Sequence, residues 1–552
     1  MAKGLFKKVK SVLDGKPLLA KGLFVIVVNL VIVLVLSPVL ISYKHIGGFD
    51  WDTYVAYHEA LRRIIVNYHQ FPWWDPWIAG GVPLFGNPQI GLISIETPFI
   101  LLFGTVFGLK LAAVTYFIAG FWGMFWLLKE LNTRLSVRLL LSYVWVFSTF
   151  VTFHFYAGHF TFLMYLLSPW LFFLALKLRN DGWRWAVLLG IFIGFITNSD
   201  LHYMVLQAFL ILGFWMIGEF ITVKDKKKFI LRALLAASIG LILALPHLYF
   251  AYKYVADFPA TKDLMQPVTG LRTTARAFLQ PFQKPGLPPA GGLTWWEYSS
   301  YIGISTVLLF FIAAARHCYD TYKRKRVNPG VIFLIGFIAC FVLGLGPFAR
   351  LSPYNILHHV SLLKNTEVPS RWFGWCLFFV VLTISQFRKI PKLSVVLLLV
   401  AAIELTANLP FGKIFIYATP SPVANSAFKQ HYDFLGPNPY SSNMYKGVIS
   451  DYGVVPAYEP ILRRSGINSV RCDLAENCNL ISSNAQVTYW SPNTIKLKRL
   501  APGPIDLDIN PGSYWLVNGQ RLFPNDRVTE PGKQFVITDP ANNIELHIKP
   551  AL

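Results

Sequence analysis

The sequence predicts a mainly α polytopic membrane domain of about eleven transmembrane helices over residues 1–410, followed by a β-sandwich-like soluble domain over 411–552. Three observations predict it. Hydrophobic residues make up 54% of the chain and charged residues 14%, with a mean hydropathy of +0.47, far from the composition of soluble proteins. Apolar runs of the length needed to cross a bilayer recur as far as residue 410. Beyond that point the chain turns to Pro, Asn, Ser and short alternating segments.

The expected spans are 22–42, 109–128, 136–153, 162–178, 185–198, 204–222, 229–250, 300–316, 329–347, 371–387 and 393–410. The stretch 24–41 follows a basic N-terminal region but is too long for a signal-peptide core, and it ends in Leu-Ser-Pro-Val-Leu-Ile without a small-residue cleavage site, so it is expected to be a retained span. The net charge of +22 could suggest nucleic acid, but its distribution points to the membrane. Roughly half of the Lys and Arg residues fall in six segments between alternate spans: 3–21, 129–138, 177–184, 224–232, 316–326 and 388–392. Basic loops stay on the cytoplasmic side, so the N-terminus is expected inside and the 411–552 domain outside the cytoplasm.

Within that domain, strands are expected over 486–490, 494–500, 514–517, 520–523, 535–538 and 544–548, with Asn518-Gly519 as a type I′ hairpin turn. Cys472 and Cys478 are spaced so that either a disulfide or two free thiols would fit. No Walker loop, GxSxG elbow or HExxH motif occurs.

The most informative stretch follows the first span: FDWDTYVAYHEALRRIIVNYHQFPWWDPWIAGGVPLFGNPQ. Residues 53–68 predict an amphipathic helix on the membrane surface, with Tyr54, Tyr57, Leu61 and Tyr68 on one face and His58, Glu59, Arg62 and Arg63 opposite. Asp52 would stand at its N-terminus. A carboxylate there either caps free backbone amides or serves as a general base where lipid-borne and water-borne substrates meet. Asp50 is then either a solvated loop residue or the base itself.

These residues resemble the GT-C membrane glycosyltransferases that use polyprenyl-phosphate sugars, and are most similar to the YfhO-like branch. The resemblance is carried by Asp50-Trp-Asp52-Thr-Tyr54, the following helix, Phe71-Pro72-Trp73-Trp74-Asp75-Pro76 and Gly80-Gly81-Val82-Pro83-Leu84. Further along, Glu297-Tyr298-Ser-Ser-Tyr301-Ile-Gly303, Glu367-Val-Pro369-Ser370-Arg371-Trp372 and Tyr489-Trp490-Ser-Pro492-Asn493 also match. The class often has adjacent acids, whereas Trp51 separates them here. The resemblance implies inverting transfer of a sugar from a polyprenyl-phosphate donor to an envelope glycan, lipid or protein acceptor on the outer face of the cytoplasmic membrane. A donor synthase and a flippase would act upstream. Asp52, assisted or replaced by Asp50, would be the base, and Tyr54 would lie at the substrate. The same Asp-x-Asp could instead hold a divalent metal.

Arg371, with Lys364 nearby, either binds the donor phosphate or anchors a helix end. Trp295 either stacks on sugar or joins the interfacial aromatic belt, and Glu297 either positions the acceptor hydroxyl or satisfies an arginine. Asp200 and His202 end a span on the outer side, where ionisable groups often bind substrate. They are expected opposite Asp52. His154 and His159 read as interfacial side chains rather than ligands. A transporter or flippase for lipid-linked saccharides would share the composition, but the spans show no internal repeat. A carbohydrate-binding module on a membrane tether would not need so many spans.

Overall fold

The computed structural model describes residues 17–78, 80–179, 182–201, 203–257, 268–289, 293–325, 327–360, 368–387, 391–422, 429–431, 444–454, 484–503, 505–507, 515–521, 535–537 and 541–548. His202, Lys364, Glu367, Cys472 and Cys478 lie outside the described residues.

Each of the eleven stretches expected to span overlaps a helix, although 300–303, 345–347 and 408–410 lie outside helices. Among the described residues, six helical segments are long and apolar enough to cross a membrane: Thr105–Glu130, Leu135–Ala157, Phe160–Lys177, Met204–Thr222, Lys226–Tyr254 and Lys392–Lys413. Lys21–Val35, Trp183–Ser199, Pro329–Gly344 and Pro369–Ser385 are apolar but shorter. Ile304–Arg324 has a polar second half with Arg316, Asp320, Lys323 and Arg324. Glycines bring some of these helices close together. A Cβ on Gly190 would lie 2.7 Å from the Ala236 carbonyl oxygen, and one on Gly240 would lie 2.6 Å from Ile193, the small-residue contact by which helices pack in lipid.

One span is broken, and the break builds the site. Between Leu135–Val146 and Thr149–Ala157 the freed polar groups are met from another loop. The Thr149 amide donates to the Tyr301 carbonyl (3.1 Å), the Tyr301 amide donates to the Thr149 hydroxyl (2.8 Å), and the Thr149 and Ser299 hydroxyls bond to each other. Backbone freed inside an apolar domain must find such partners. The loop that supplies them is the one that carries Glu297.

The helix after the first span runs Trp51–Val66, as expected, but does not lie on a surface. His58 and Glu59 are as buried as Tyr54 and Tyr57, because the expected polar face is covered as well. Thr105 donates its hydroxyl to Glu59. Arg63 donates to the Val448 carbonyl (2.6 Å) and the Asp451 carboxylate (2.9 Å). The C-terminal region thus sits on this helix and is stitched to the first loop elsewhere too. His45–Gly47 pairs antiparallel with Phe415–Ala418, and Ile78 bridges to Val454.

The strands expected from alternation form a five-stranded antiparallel sheet in the order Gln520–Arg521, Trp515–Val517, Asn543–Ile548, Thr494–Arg499, Ala485–Ser491, with Ile505–Leu507 paired to Phe535–Ile537. Asn518 and Gly519 take positive φ angles of 49° and 79°, as a type I′ turn requires.

Candidate functional site

The loop before helix Trp51–Val66 is held by a glycine. Gly158 closes helix Thr149–Ala157 with φ +90°, and a Cβ there would lie 2.3 Å from the Trp51 nitrogen. Without a side chain, the turn lets the Asp50 amide donate to the Ala157 carbonyl (2.9 Å) and the Trp51 indole donate to the Phe155 carbonyl (3.1 Å). The residue after that glycine, His159, therefore faces Asp50.

Asp50 Oδ2 lies 3.0 Å from His159 Nε2, and the two side chains are 18% and 12% exposed. Asp50 Oδ1 has no hydrogen-bond partner among the described residues. On the far side of the ring, His159 Nδ1 is 2.8 Å from His154 Nδ1. His154 is fully buried and stacks on Phe162, with ring centroids 3.6 Å apart and planes 16° apart. Glu297 completes the group, its carboxylate lying within 4.8 Å of the histidine nitrogens. Behind it, Arg371 makes a two-point bond to Glu297 (Nε–Oε2 2.9 Å, Nη2–Oε1 2.8 Å), sits over the Phe162 ring at 4.9 Å, and is buried. Ser370 fixes the same loop by donating to the Glu297 carbonyl at 2.6 Å. Five charged or titratable side chains from four parts of the chain form one cluster.

Asp52 points away from this cluster. It is 4% exposed, and its two oxygens accept from the amides of Met444 (2.7 Å) and Tyr445 (3.2 Å). It therefore caps the short helix Met444–Ile449 of the C-terminal region, and the two carboxylates of Asp50-Trp-Asp52 do not converge on a common point. The base expected at Asp52 is thus found on two backbone amides, and the two acids expected to hold a metal engage different partners. Trp51 packs against Phe155, Phe160 and Phe415, so the acids on either side of it look in different directions.

A second polar group lies beside the first. Tyr54, His58, Gln89, Glu96, Tyr116 and Asp200 line one small cleft. Tyr54 donates to Gln89 Oε1 (3.1 Å), and Tyr116 to Glu96 Oε2 (3.1 Å). Burial pushes the His58 imidazole below its ordinary pKa, against the upward pull of Glu96, so the ring is held neutral. Two residues expected at the substrate, Tyr54 and Asp200, thus meet in one cleft. Trp295 does not join them. It is 4% exposed and packed with Phe153, Ala277 and Tyr298, a core side chain with Arg276 over its ring. The neighbouring Trp296 borders the site instead, 4.7 Å from Phe49 and 6.3 Å from His159 between ring centroids.

His154 and His159 were expected as interfacial side chains and His58 on a polar helix face, while Glu96 was not singled out. The two first histidines flank a glycine at a span end, and that spacing was the available signal. For Glu96 there was none, since it reads as an ordinary helix start.

No family model matches the chain, and no curated protein matches it. Among solved structures, the crystal structure of ArnT from Cupriavidus metallidurans bound to undecaprenyl phosphate is similar over 80% of this chain and 88% of that one, at 11% identity and a TM-score of 0.36. A likeness of that extent shows neither activity nor substrate.

Proposed function

We propose that the chain is a membrane glycosyltransferase of the GT-C type, closest to the YfhO-like branch. It moves a sugar from a polyprenyl-phosphate donor to an envelope glycan, lipid or protein acceptor on the outer face of the cytoplasmic membrane. The N-terminus lies inside and the 411–552 region outside. The observation that carries this reading is Asp50: a carboxylate held on one oxygen by His159, with no hydrogen bond on the other oxygen among the described residues and the side chain still partly accessible. That is the geometry of a general base. Asp50 would take the proton of an acceptor hydroxyl as its oxygen attacks the anomeric carbon. The C–O bond to phosphate breaks on the opposite face, and the electron pair leaves with the polyprenyl phosphate. The neighbouring cleft, lined by Tyr54 and Asp200, is a place for the polar part of a substrate.

Lys364 is proposed to help bind the donor phosphate. Arg371 takes the same role only in part, because Glu297 already engages its Nε and Nη2. The resemblance in the first loop and the alternation of basic segments support membrane sugar chemistry over transport.

The test is transfer by purified full-length protein in nanodiscs, with a panel of polyprenyl-phosphate sugars and an envelope-glycan acceptor extract. Folded Asp50→Asn is expected to lose transfer and folded Asp52→Asn to keep it. Absence of donor release and product across the panel would sink the reading.

A further inference from the structure

Two carboxylates and one guanidinium meet in the Asp50 cluster. Asp50 engages one of the two histidines, and Arg371 engages Glu297 at two points.

We infer that His154, His159 and Glu297 bind a divalent first-row transition-metal ion, and that the expected metal site of this protein is there rather than on Asp50 and Asp52. Three geometric facts point to it. First, two imidazole nitrogens, both Nδ1, face each other at 2.8 Å. Two nitrogens bound about 2.1 Å from one ion stand about 3.0 Å apart at a right angle and about 3.4 Å apart in a tetrahedron, so the rings need open by a few tenths of an ångström to about half an ångström. Second, a Glu297 oxygen lies within 4.8 Å of one ring nitrogen of each histidine. Third, the outer contacts are those of a ligand set. His159 turns its other nitrogen to the Asp50 carboxylate at 3.0 Å, the carboxylate–histidine arrangement that fixes tautomer and ring direction in metal sites. Phe162 holds the His154 plane by stacking, and Arg371 grips Glu297 at two points, which fixes the direction of its carboxylate.

Two histidines and one carboxylate suit Mn²⁺, Fe²⁺ or Zn²⁺ and leave coordination positions open. The ion would add two positive charges to the cluster. It could then accept an anionic oxygen, which on the transfer reading above is an oxygen of the donor phosphate. That last role rests on the proposed function; the metal binding does not.

The experiment therefore measures metal without donor or acceptor. Full-length protein purified through a tag that holds no histidines is stripped with chelator and titrated with Mn²⁺ by electron paramagnetic resonance and with Zn²⁺ followed by elemental analysis. Wild type is expected to hold about one ion per chain. His159→Gln and Glu297→Gln are expected to bind at least tenfold more weakly, and Asp50→Asn about tenfold more weakly through the orienting contact. Should the variants fail to fold, Co²⁺-loaded wild type is read by X-ray absorption, where two imidazoles in the first shell support the site. Absence of stoichiometric binding by wild type overturns the inference, as does equal binding by folded variants or a Co²⁺ shell without imidazole. In the last cases the two imidazoles share a proton instead. Failure of sugar transfer with metal bound would count against the proposed function alone.

Discussion

On the Asp52 side of Trp51 the chain meets the C-terminal region; on the Asp50 side it meets the histidines. The two carboxylates are two residues apart and belong to one turn of chain, yet one has both oxygens bound to backbone amides and the other keeps an oxygen in reserve. The difference shows that an acidic motif at a membrane surface divides its labour through what packs on each side of it. A carboxylate with both oxygens engaged by backbone amides is a structural clamp, and one oriented by a single imidazole can still accept a proton.

The comparison is broken most directly at Asp50. Asp50→Asn is expected to lower transfer by about 10²–10⁴-fold, the usual contribution of a positioned base, with little change in thermal unfolding. Equal losses for Asp50→Asn and Asp52→Asn, both folded, would erase the distinction. Next in size is the buried pair behind the base. Arg371→Met strands the Glu297 carboxylate and is expected to cost about 3–5 kcal/mol, with recovery in the Arg371→Met/Glu297→Leu double variant. Denaturant unfolding in a mild detergent reads this, and absence of recovery would show that the pair is not the cause.

Asp52→Ala tests the clamp. It removes the acceptor for the Met444 and Tyr445 amides and is expected to cost about 1–3 kcal/mol, read as earlier proteolysis of the 411–552 region. A variant that keeps wild-type protease resistance would show that the cap is dispensable.

Set by pH rather than by a broken contact is the effect of Asp75, in the stretch after helix Trp51–Val66. Burial pushes its carboxyl up to about 8, while the amides of Trp77 and Ile78 pull it the other way. Its ordinary value is 3.8, so between these values the folded state holds a proton that the unfolded state releases. Its contribution is full below about pH 4 and is lost as pH rises through about 8. Asp75→Asn should flatten the decline in stability between those limits, checked by unfolding at pH 5 and pH 8. A decline unchanged in the variant would assign it to other groups.

The helices, the β-rich C-terminal strands and the Asn518-Gly519 hairpin were legible because hydropathy period and turn chemistry are local. So were Asp50, Glu297, Arg371 and Asp200 as polar residues at span ends. Local pattern misled at helix Trp51–Val66, where charged residues at helical spacing implied a wet face. Arg63 is instead paired by Asp451, nearly four hundred residues on. It misled at Trp295 as well, since an aromatic beside a carboxylate reads the same in a site and in a core.

By itself the sequence determined which segments are apolar enough for lipid, where the basic loops fall and which polar residues stand at the span ends, because these follow from side-chain chemistry and spacing along one element. Only the tertiary structure decided which carboxylate is clamped and which is held ready, and that His154, His159 and Glu297 share one place. Those outcomes depend on a broken helix filled by a distant loop, a glycine that lets two turns touch, and a C-terminal region seated on the first loop. Contacts of that sequence separation leave no local period to read.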